Sequence, residues 1–395
     1  MKIDDSWLGL TSPNFKPYAG MDPDKRIMLL GADVFSPDPC IPKHVIDAVK
    51  QALDNGRTHY ALDNGYAVPE LKSALTDKLK SFNKMEIDSE CELMVIPSSA
   101  FGLYAGIRIC IRPNRGDEVI NFDPGFSENF NDVFQMGAVN ARVRLYKEDG
   151  FQIRYDELIR AINQNTRCIV VTNPNNPTAT VFNRKSLEAV AQAAREYDLG
   201  VVVDQSFERN IYDNIEYINF ANLPGMKERT ITVFGTSKDL GLTGFRVGYM
   251  TAPKMVMDIL KTAEFNYVGP TNTFAQYGVA AAYRDPSYVD GWMEEFRYRR
   301  EYGYSALNGI PGVECAMPEG GYYFWADVHR LGDSEEIRDF LISDADVGVS
   351  PGNWFGVYGE GYLRIMFGAV KDRERYKEAM RRIVASLSKL PVKLG

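Results

Sequence analysis

Histidine, cysteine and long apolar runs are scarce in this sequence. Only three histidines occur among 395 residues, and they lie far apart, so histidine-rich metal sites and His-driven catalytic triads have few candidates. The five cysteines are odd in number and well separated, which argues against a disulfide framework or a cysteine-based zinc site and favours a reducing cytosol. Because no apolar run approaches the ~18 residues of a membrane helix, we expect a cytoplasmic protein without a membrane partner or a metal.

Positive charge is also in deficit. The 45 Lys and Arg against 53 Asp and Glu give a net charge of −8, which argues against nucleic acid or an anionic membrane as a partner. The N-terminal stretch MKIDDSWLGLTSP has early acidic residues and no apolar run, so we expect no secretory signal. The length of the chain suits a large domain with a smaller one.

Short β-rich runs alternate with helical patterns between about residues 91 and 252. Continuous Val and Ile within such runs is typical of a mostly parallel sheet covered on both faces by helices. We predict an α/β fold with seven strands in this sheet. In sheets of this kind ligands bind beyond the carboxyl ends of the strands, so we expect the functional site there.

The last third of the chain has a different pattern. Residues 286–309 indicate one long helix, and strands follow from Ile310 onward. The closing segment is an amphipathic helix with Tyr376, Met380, Ile383 and Leu387 on one face. This predicts a smaller α+β domain. The predicted boundaries are an N-terminal arm with part of the small domain over 1–43, the large domain over 44–290, and the small C-terminal domain over 291–395.

The segment GTSKDLGLTGFRVGY, residues 235–249, carries a chemical signal. Lys238 follows the strand-like run ITVFG and precedes a glycine-rich loop. An amine at the end of a strand, in a pocket, can form an imine with an aldehyde cofactor. Arg246, eight residues further on, offers a fork of donors suited to a phosphate. A lone loop lysine is more often simply solvated, so the assignment depends on the motifs around it.

This segment resembles the S-K-x-x-x-x-x-G-x-R-x-G signature of class I/II aminotransferases, the fold-type I enzymes that use pyridoxal 5'-phosphate (PLP). The resemblance extends over nearly the whole chain, with the motifs in the family's order. It implies an aspartate-aminotransferase-like fold, with PLP bound to Lys238 as a Schiff base. It also implies that Lys238 is the general base on the substrate Cα–H, and that Ser237 and Arg246 contact the cofactor.

Further motifs match the family's cofactor-binding segments. IPSSAFGLY (96–104) opens a helix after a strand, where hydroxyls and backbone N–H groups make a phosphate cradle. Taken alone, its two serines would be an ordinary helix cap. The resemblance assigns the phosphate to Ser98, Ser99 and Ala100, the pyridine face to Phe126 of DPGF, and the phenolic oxygen to Asn176 of NPNNPTA.

The run VVVDQSF (201–207) is a buried strand that ends in an acid. A carboxylate at such a point is costly unless it has a partner. In the family the matching acid pairs with the ring nitrogen of PLP, which implies this role for Asp204. An anion there keeps the nitrogen protonated, so that the ring can accept the electrons left when a Cα bond breaks.

The resemblance also implies a substrate clamp and a second subunit. GEGYLRIMFGA (359–369) matches the strand whose arginine binds the substrate α-carboxylate, which makes Arg364 that clamp. Gly31 falls where a glycine backbone lines the same carboxylate. HYALDNGYAVPELKSAL (59–75) matches the segment whose tyrosine reaches the cofactor phosphate of the neighbouring subunit. Tyr60 therefore implies a homodimer with shared sites.

Four positions depart from the family pattern. Phe207 replaces a tyrosine that hydrogen-bonds the cofactor, and Ala179 replaces a glycine. Phe126 replaces the usual Trp or Tyr, and Asn129 stands where some members carry a histidine that supports the acid. The default prediction is transamination between an L-amino acid and a 2-oxo acid. The departures keep open a PLP-dependent cyclase, lyase or oxidase of an arginine-like substrate, which would need no keto acid.

A third hypothesis is a transcription regulator on this fold. It would need an attached DNA-binding domain, and we expect too little chain before the cofactor domain, together with too acidic a charge, for that role. The amino-acid substrate is not indicated by the sequence. The aromatic tract YVGPTNTF (267–274) is a candidate for the side-chain pocket or for the dimer interface.

Overall fold

The structure, a computed structural model, describes residues 16–30, 41–62 and 66–393, without the side chains of residues 264–266. Its strands coincide with runs of Val, Ile, Tyr and Phe, whose branched or flat side chains fit a pleated surface. In chain order they are β1 (Ile27–Met28), β2 (Leu93–Ile96), β3 (Glu118–Asp123), β4 (Val139–Arg144), β5 (Thr166–Thr172), β6 (Gly200–Asp204), β7 (Thr230–Gly235), β8 (Gly248–Thr251), β9 (Glu314–Cys315), β10 (Tyr323–Asp327), β11 (Val347–Gly348), β12 (Ser350–Pro351) and β13 (Tyr362–Met366).

Local signals place several helix starts. Pro69 opens its helix, where a missing N–H costs nothing, and the Asn183 side chain accepts a hydrogen bond from the backbone of Ser186. In chain order the helices are α1 (Lys16–Ala19), α2 (Lys43–Asp54), α3 (Pro69–Ser81), α4 (Ser99–Cys110), α5 (Ser127–Gln135), α6 (Tyr155–Ala161), α7 (Arg184–Glu196), α8 (Thr236–Asp239), α9 (Lys254–Tyr267), α10 (Thr273–Arg284), α11 (Tyr288–Asn308), α12 (Ser334–Ala345) and α13 (Arg373–Leu387).

A seven-stranded sheet forms the centre of the large domain, in the order β2-β8-β7-β6-β5-β3-β4. Its neighbours are parallel except β8, which is antiparallel to both β2 and β7. The carboxyl ends of β2, β3, β5, β6 and β7 therefore meet at one edge of the sheet. The predicted mostly parallel sheet of seven strands is confirmed, and the edge is the one at which the sequence predicted the site.

A four-stranded antiparallel sheet, in the order β12-β13-β10-β9, forms the smaller domain. β13 lies beside β10 with Arg364 opposite Trp325. The apolar face predicted for the last helix is buried in α13, where Tyr376, Met380 and Ile383 are fully covered. Early chain also joins this part of the molecule, because β1 pairs in parallel with β11.

The long helix predicted over residues 286–309 has nearly the expected bounds, because α11 spans 288–308. Since α11 crosses the boundary that the sequence suggested at 290/291, that boundary and the one at 43/44 stay predictions. Within the described residues, no helix is long and apolar enough to cross a membrane.

Candidate active site

The segment after β7 carries Lys238 to the edge where the strands end. β7 stops at Gly235, and the single-turn helix α8 begins at Thr236. The Thr236 hydroxyl donates to the carbonyl of Val247 at 2.6 Å, which ties α8 to the start of β8. Lys238 and its neighbour Ser237 are half-buried. Because this hydrogen bond and the end of β7 anchor the short helix, the backbone of Lys238 is held in place.

The start of α4 packs closely against the strands on either side of the Lys238 loop, at Gly235 and Gly248. Ser98 caps this helix by accepting a hydrogen bond from the backbone of Phe101 at 3.1 Å. A Cβ added at Gly248 would lie 3.0 Å from the backbone nitrogen of Ser99, so only glycine at this position lets β8 approach the start of α4 so closely. Ala100 in the first turn is exposed. Backbone N–H groups at a helix start favour a phosphate, and in the structure Ser98 is the cap of this helix start.

Arg246 lies at the other end of the loop that follows Lys238. It is exposed and adopts a left-handed backbone conformation with φ of 54°. Its guanidinium donates to the carbonyl of Thr243 at 2.9 Å, and its own carbonyl accepts from Thr271 at 2.9 Å. A left-handed backbone is uncommon in a residue other than glycine, and the surrounding hydrogen bonds hold it there.

Asp204 ends β6 and is 4% exposed. Its Oδ1 accepts hydrogen bonds from the Ser206 backbone at 3.0 Å and from the Ser206 hydroxyl at 2.5 Å. Burial raises the pKa of Asp204 to about 6, although both hydrogen bonds act to lower it. Asn129 donates to Thr172 at 3.2 Å, so this position is engaged with a threonine hydroxyl.

Arg364 and Asn176 form the other side of the site. The guanidinium of Arg364 donates to the side-chain carbonyl of Asn176 at 3.0 Å and lies 4.5 Å from the ring centroid of Phe355. Burial lowers the pKa of Arg364, yet an arginine keeps its charge. Its Nε is buried without a hydrogen-bond partner among the described residues.

Phe126 and Tyr60 are the remaining predicted site residues within the described part of the chain. Phe126 is half-buried directly before α5. Tyr60 is 74% exposed on the single chain, as a residue that serves a neighbouring chain would be. Gly31 lies outside the described residues.

The structure gives a physical account of two departures from the family pattern. Phe207 packs edge-on against Tyr322 and Tyr323, with ring centroids 5.3 and 5.6 Å apart. The position of the missing phenol is therefore filled by aromatic packing. Ala179 has a φ of 60°, a conformation that costs an alanine about 1–2 kcal/mol. Its carbonyl accepts hydrogen bonds from the backbones of Glu319 and Gly320, which hold it in place.

Sequence reasoning missed two elements of the surroundings. Ser206, the hydrogen-bond partner of Asp204, lies in the run VVVDQSF, where nothing in the sequence singles it out. Lys78 and Glu208 form a fully buried ion pair close to Asp239, the residue that follows Lys238. The signal for the pair was weak, because its two members lie 130 positions apart.

Comparison with known proteins identifies the family. The model of the family "Aminotransferase class I and II" matches residues 25–383. The aspartate aminotransferase of Pyrococcus abyssi is 35% identical over 93% of this chain and 93% of that protein. The aromatic-amino-acid aminotransferase 2 of Thermococcus litoralis is 33% identical over 90% of each.

Solved structures agree with these relatives. The aromatic aminotransferase of Pyrococcus horikoshii OT3 has a TM-score of 0.86 at 33% identity, covering 92% of this chain and 96% of that one. The aspartate aminotransferase of Rhizobium meliloti has a TM-score of 0.89 at 26% identity, covering 99% and 100%. The fold is thus that of the aspartate-aminotransferase-like transferases.

The chain belongs to the class I and II aminotransferase family. It is an aminotransferase of the PLP-dependent kind, as the motifs around Lys238 predicted.

Proposed function

We propose that the enzyme moves an amino group between an L-amino acid and a 2-oxo acid, with PLP attached to Lys238. The observation that carries this proposal is that a buried acid and a half-buried lysine follow the neighbouring strands β6 and β7 at one sheet edge, where Arg364 also reaches Asn176 beyond the end of β5. The proposed cofactor contacts are Ser98, Ser99, Ala100, Phe126, Asn176, Asp204, Ser237, Lys238, Arg246 and, from the neighbouring subunit, Tyr60.

The residues fit the cofactor in charge and in space. The helix start at Ser99 and the guanidinium of Arg246 suit a phosphate. A Cβ at Gly235 would lie 3.2 Å from the Ser99 hydroxyl, so the glycine leaves room where the phosphate would be held. The buried Asp204 suits a protonated ring nitrogen, since a partner of opposite charge offsets the cost of its burial.

When bound, the cofactor supplies an aldehyde for the substrate amine and a ring that accepts the electron pair of the Cα–H bond. Lys238 Nζ would take the proton from the substrate Cα and deliver it to the carbon that carried the aldehyde, and in the return half of the reaction it would carry out the same two transfers in reverse. Asp204 keeps the proton on the ring nitrogen. Both groups must be oriented before the proton moves, and α8 and the Ser206 hydrogen bonds provide that orientation.

Arg364 is the proposed clamp for the substrate α-carboxylate, with Asn176 as its neighbour. Its buried Nε lacks a partner among the described residues, and a carboxylate accepts two parallel bonds from a guanidinium. Gly31 is proposed to line the same carboxylate. This clamp recognises a part common to all α-amino acids, so it does not select the side chain.

The relatives' names suggest where to begin with donors. We propose aspartate and the aromatic amino acids as first candidates, because proteins with these names match the chain over about nine-tenths of its length. A cytoplasmic location is proposed because the five cysteines are odd in number and well separated in sequence, which favours a reducing compartment.

A homodimer is part of the proposal. Exposed large apolar side chains are unusual when they are clustered on a monomer and favour a partner surface. Several occur in the segments that include or adjoin Tyr60 and the tract 267–274. They are Tyr60, Leu62, Met255, Ile259, Tyr267 and Val268.

The test is a spectroscopic titration of the purified holoenzyme with single amino acids, without any 2-oxo acid. An aminotransferase loses the visible absorbance of the Lys238-bound cofactor once, and added 2-oxo acid restores it. Continuous turnover without an acceptor would instead support the cyclase, lyase or oxidase hypothesis. Lys238→Ala is expected to abolish both absorbance and turnover, and retention of both would refute the assignment of Lys238.

A further inference from the structure

The carboxylate of Asp204 needs donors, because it is almost fully buried. At position 129, where some members of the family carry a histidine that supports the acid, this chain has an asparagine. The Asn129 amide donates instead to Thr172, and its own carbonyl oxygen has no partner among the described residues. Ser206 donates two hydrogen bonds to the Asp204 side chain.

Both hydrogen bonds from Ser206 fall on the same oxygen, Oδ1. The backbone N–H bond of 3.0 Å would be available to nearly any residue at position 206. The 2.5 Å bond from the hydroxyl requires a side-chain donor and is short, as bonds to a carboxylate are. By fixing Oδ1, Ser206 also fixes the plane of the carboxyl group and hence the direction of Oδ2.

The Ser206 hydroxyl has little freedom to leave this position. Ser206 is 6% exposed. A Cβ at Gly235 would lie 3.0 Å from its hydroxyl oxygen and 3.4 Å from its Cβ. The strand that leads to Lys238 therefore packs directly on the serine that holds Asp204.

We infer that Ser206 is a positioning residue, whose hydroxyl keeps Asp204 ionised and aims Oδ2 at the cofactor ring nitrogen. The inference rests on the proposed role of Asp204. Without the hydroxyl, the ionised carboxylate loses a charge-assisted bond while its protonated form loses less. The proton shared between Asp204 and the ring nitrogen then moves toward Asp204, and the ring becomes a weaker electron acceptor.

The experiment places ¹⁵N-labelled PLP in the full-length holoenzyme and reads the chemical shift of the ring nitrogen at one fixed pH. For Ser206→Ala we expect the signal to move toward that of a neutral pyridine, with about a tenfold change in the proton distribution. The kcat should fall about tenfold with KM for the amino acid unchanged. Ser186→Ala is the matched control, since Ser186 is also buried and hydrogen-bonded but lies in α7.

An unchanged nitrogen signal in Ser206→Ala, equal to that of the Ser186→Ala control, would overturn the inference. Asp204→Asn separates this failure from a failure of the proposed function. If Asp204→Asn moves the signal and Ser206→Ala does not, Asp204 is the nitrogen's partner and Ser206 is not its support. If neither variant moves it, the role of Asp204 itself is wrong.

Discussion

A buried ion pair connects α3 to the segment that follows Asp204, and it offers a sharp test of how the site is held. The amine of Lys78 contacts a carboxylate oxygen of Glu208, and their side chains are only 2% and 1% exposed. Asn83 donates to the other oxygen of Glu208 at 2.5 Å. The amine also lies 4.6 Å from the ring centroid of Phe234, in the strand that leads to Lys238.

We expect Lys78→Met to destabilise the protein severely. Methionine keeps most of the apolar stem, but Glu208 loses its ion-pair partner and keeps the neutral hydrogen bond from Asn83. Removing one partner of a buried pair costs about 3–5 kcal/mol, whereas removing both charges is often near neutral. The double variant Lys78→Met with Glu208→Gln should therefore recover most of the loss, since glutamine still offers Asn83 an acceptor.

The assay is urea unfolding of the PLP-free protein at one concentration, so that neither cofactor nor subunit association varies. Lys25→Met is the matched control, because Lys25 pairs with Asp22 at an exposed site where a pair contributes about 0–1 kcal/mol. A loss in Lys78→Met no larger than in this control would refute the reasoning. So would a double variant as unstable as the single one, because charge would then not be the cause.

Three further outcomes follow from the site. Burial raises the pKa of Asp204 from 3.8 to about 6, so ionising Asp204 destabilises the folded PLP-free protein as the pH rises through this range. Asp204→Asn should therefore stabilise the PLP-free protein by about 2–3 kcal/mol at pH 7.5 and by little at pH 4. Thermal melts at the two pH values would measure this difference. Arg364→Lys should lower kcat/KM about tenfold or more, because an ammonium cannot form two parallel hydrogen bonds with the substrate carboxylate. The affinity for PLP, measured by equilibrium dialysis, should stay unchanged. An unchanged kcat/KM would exclude Arg364 as the carboxylate clamp. Gly235→Ala should weaken PLP binding, because its Cβ would crowd two serine hydroxyls at 3.0 and 3.2 Å. Gly291→Ala, whose Cβ meets nothing within 4 Å, should bind as the wild type does, and equal affinity in both variants would contradict the crowding.

Much of the fold could be predicted because its signals are local. A continuous Val run such as that of β6 marks a strand buried on both faces, and the spacing of Tyr376, Met380 and Ile383 marks a helix with one buried face. Lys238 stood out because its neighbours in sequence form a recognisable pattern. These features depend on residues a few positions apart, so they can be predicted from the sequence alone.

The contacts that tune the site could not be predicted in this way. Phe207 packs on Tyr322 and Tyr323, more than a hundred positions later, and the sequence shows only the loss of a phenol. Lys78 and Glu208 likewise meet across 130 positions. The hydroxyl of Ser206 is close in sequence to Asp204, yet its direction depends on the space that Gly235 leaves. Tertiary packing determines these contacts, so they cannot be predicted from neighbouring residues.

The reversed strand β8 has a consequence for the order in which the enzyme matures. β8 lies between β2 and β7, pairing Ile96 with Gly248 on one side and Gly235 with Gly248 on the other. The serines that follow β2 are therefore united with Lys238 only after the chain up to Thr251 has been synthesised and has returned to Leu93. Pairings between such distant segments form slowly because a long loop must close first. We expect a nascent chain that ends before Thr251 to be unable to bind PLP. The cofactor would therefore bind late, after most of the large domain has been synthesised.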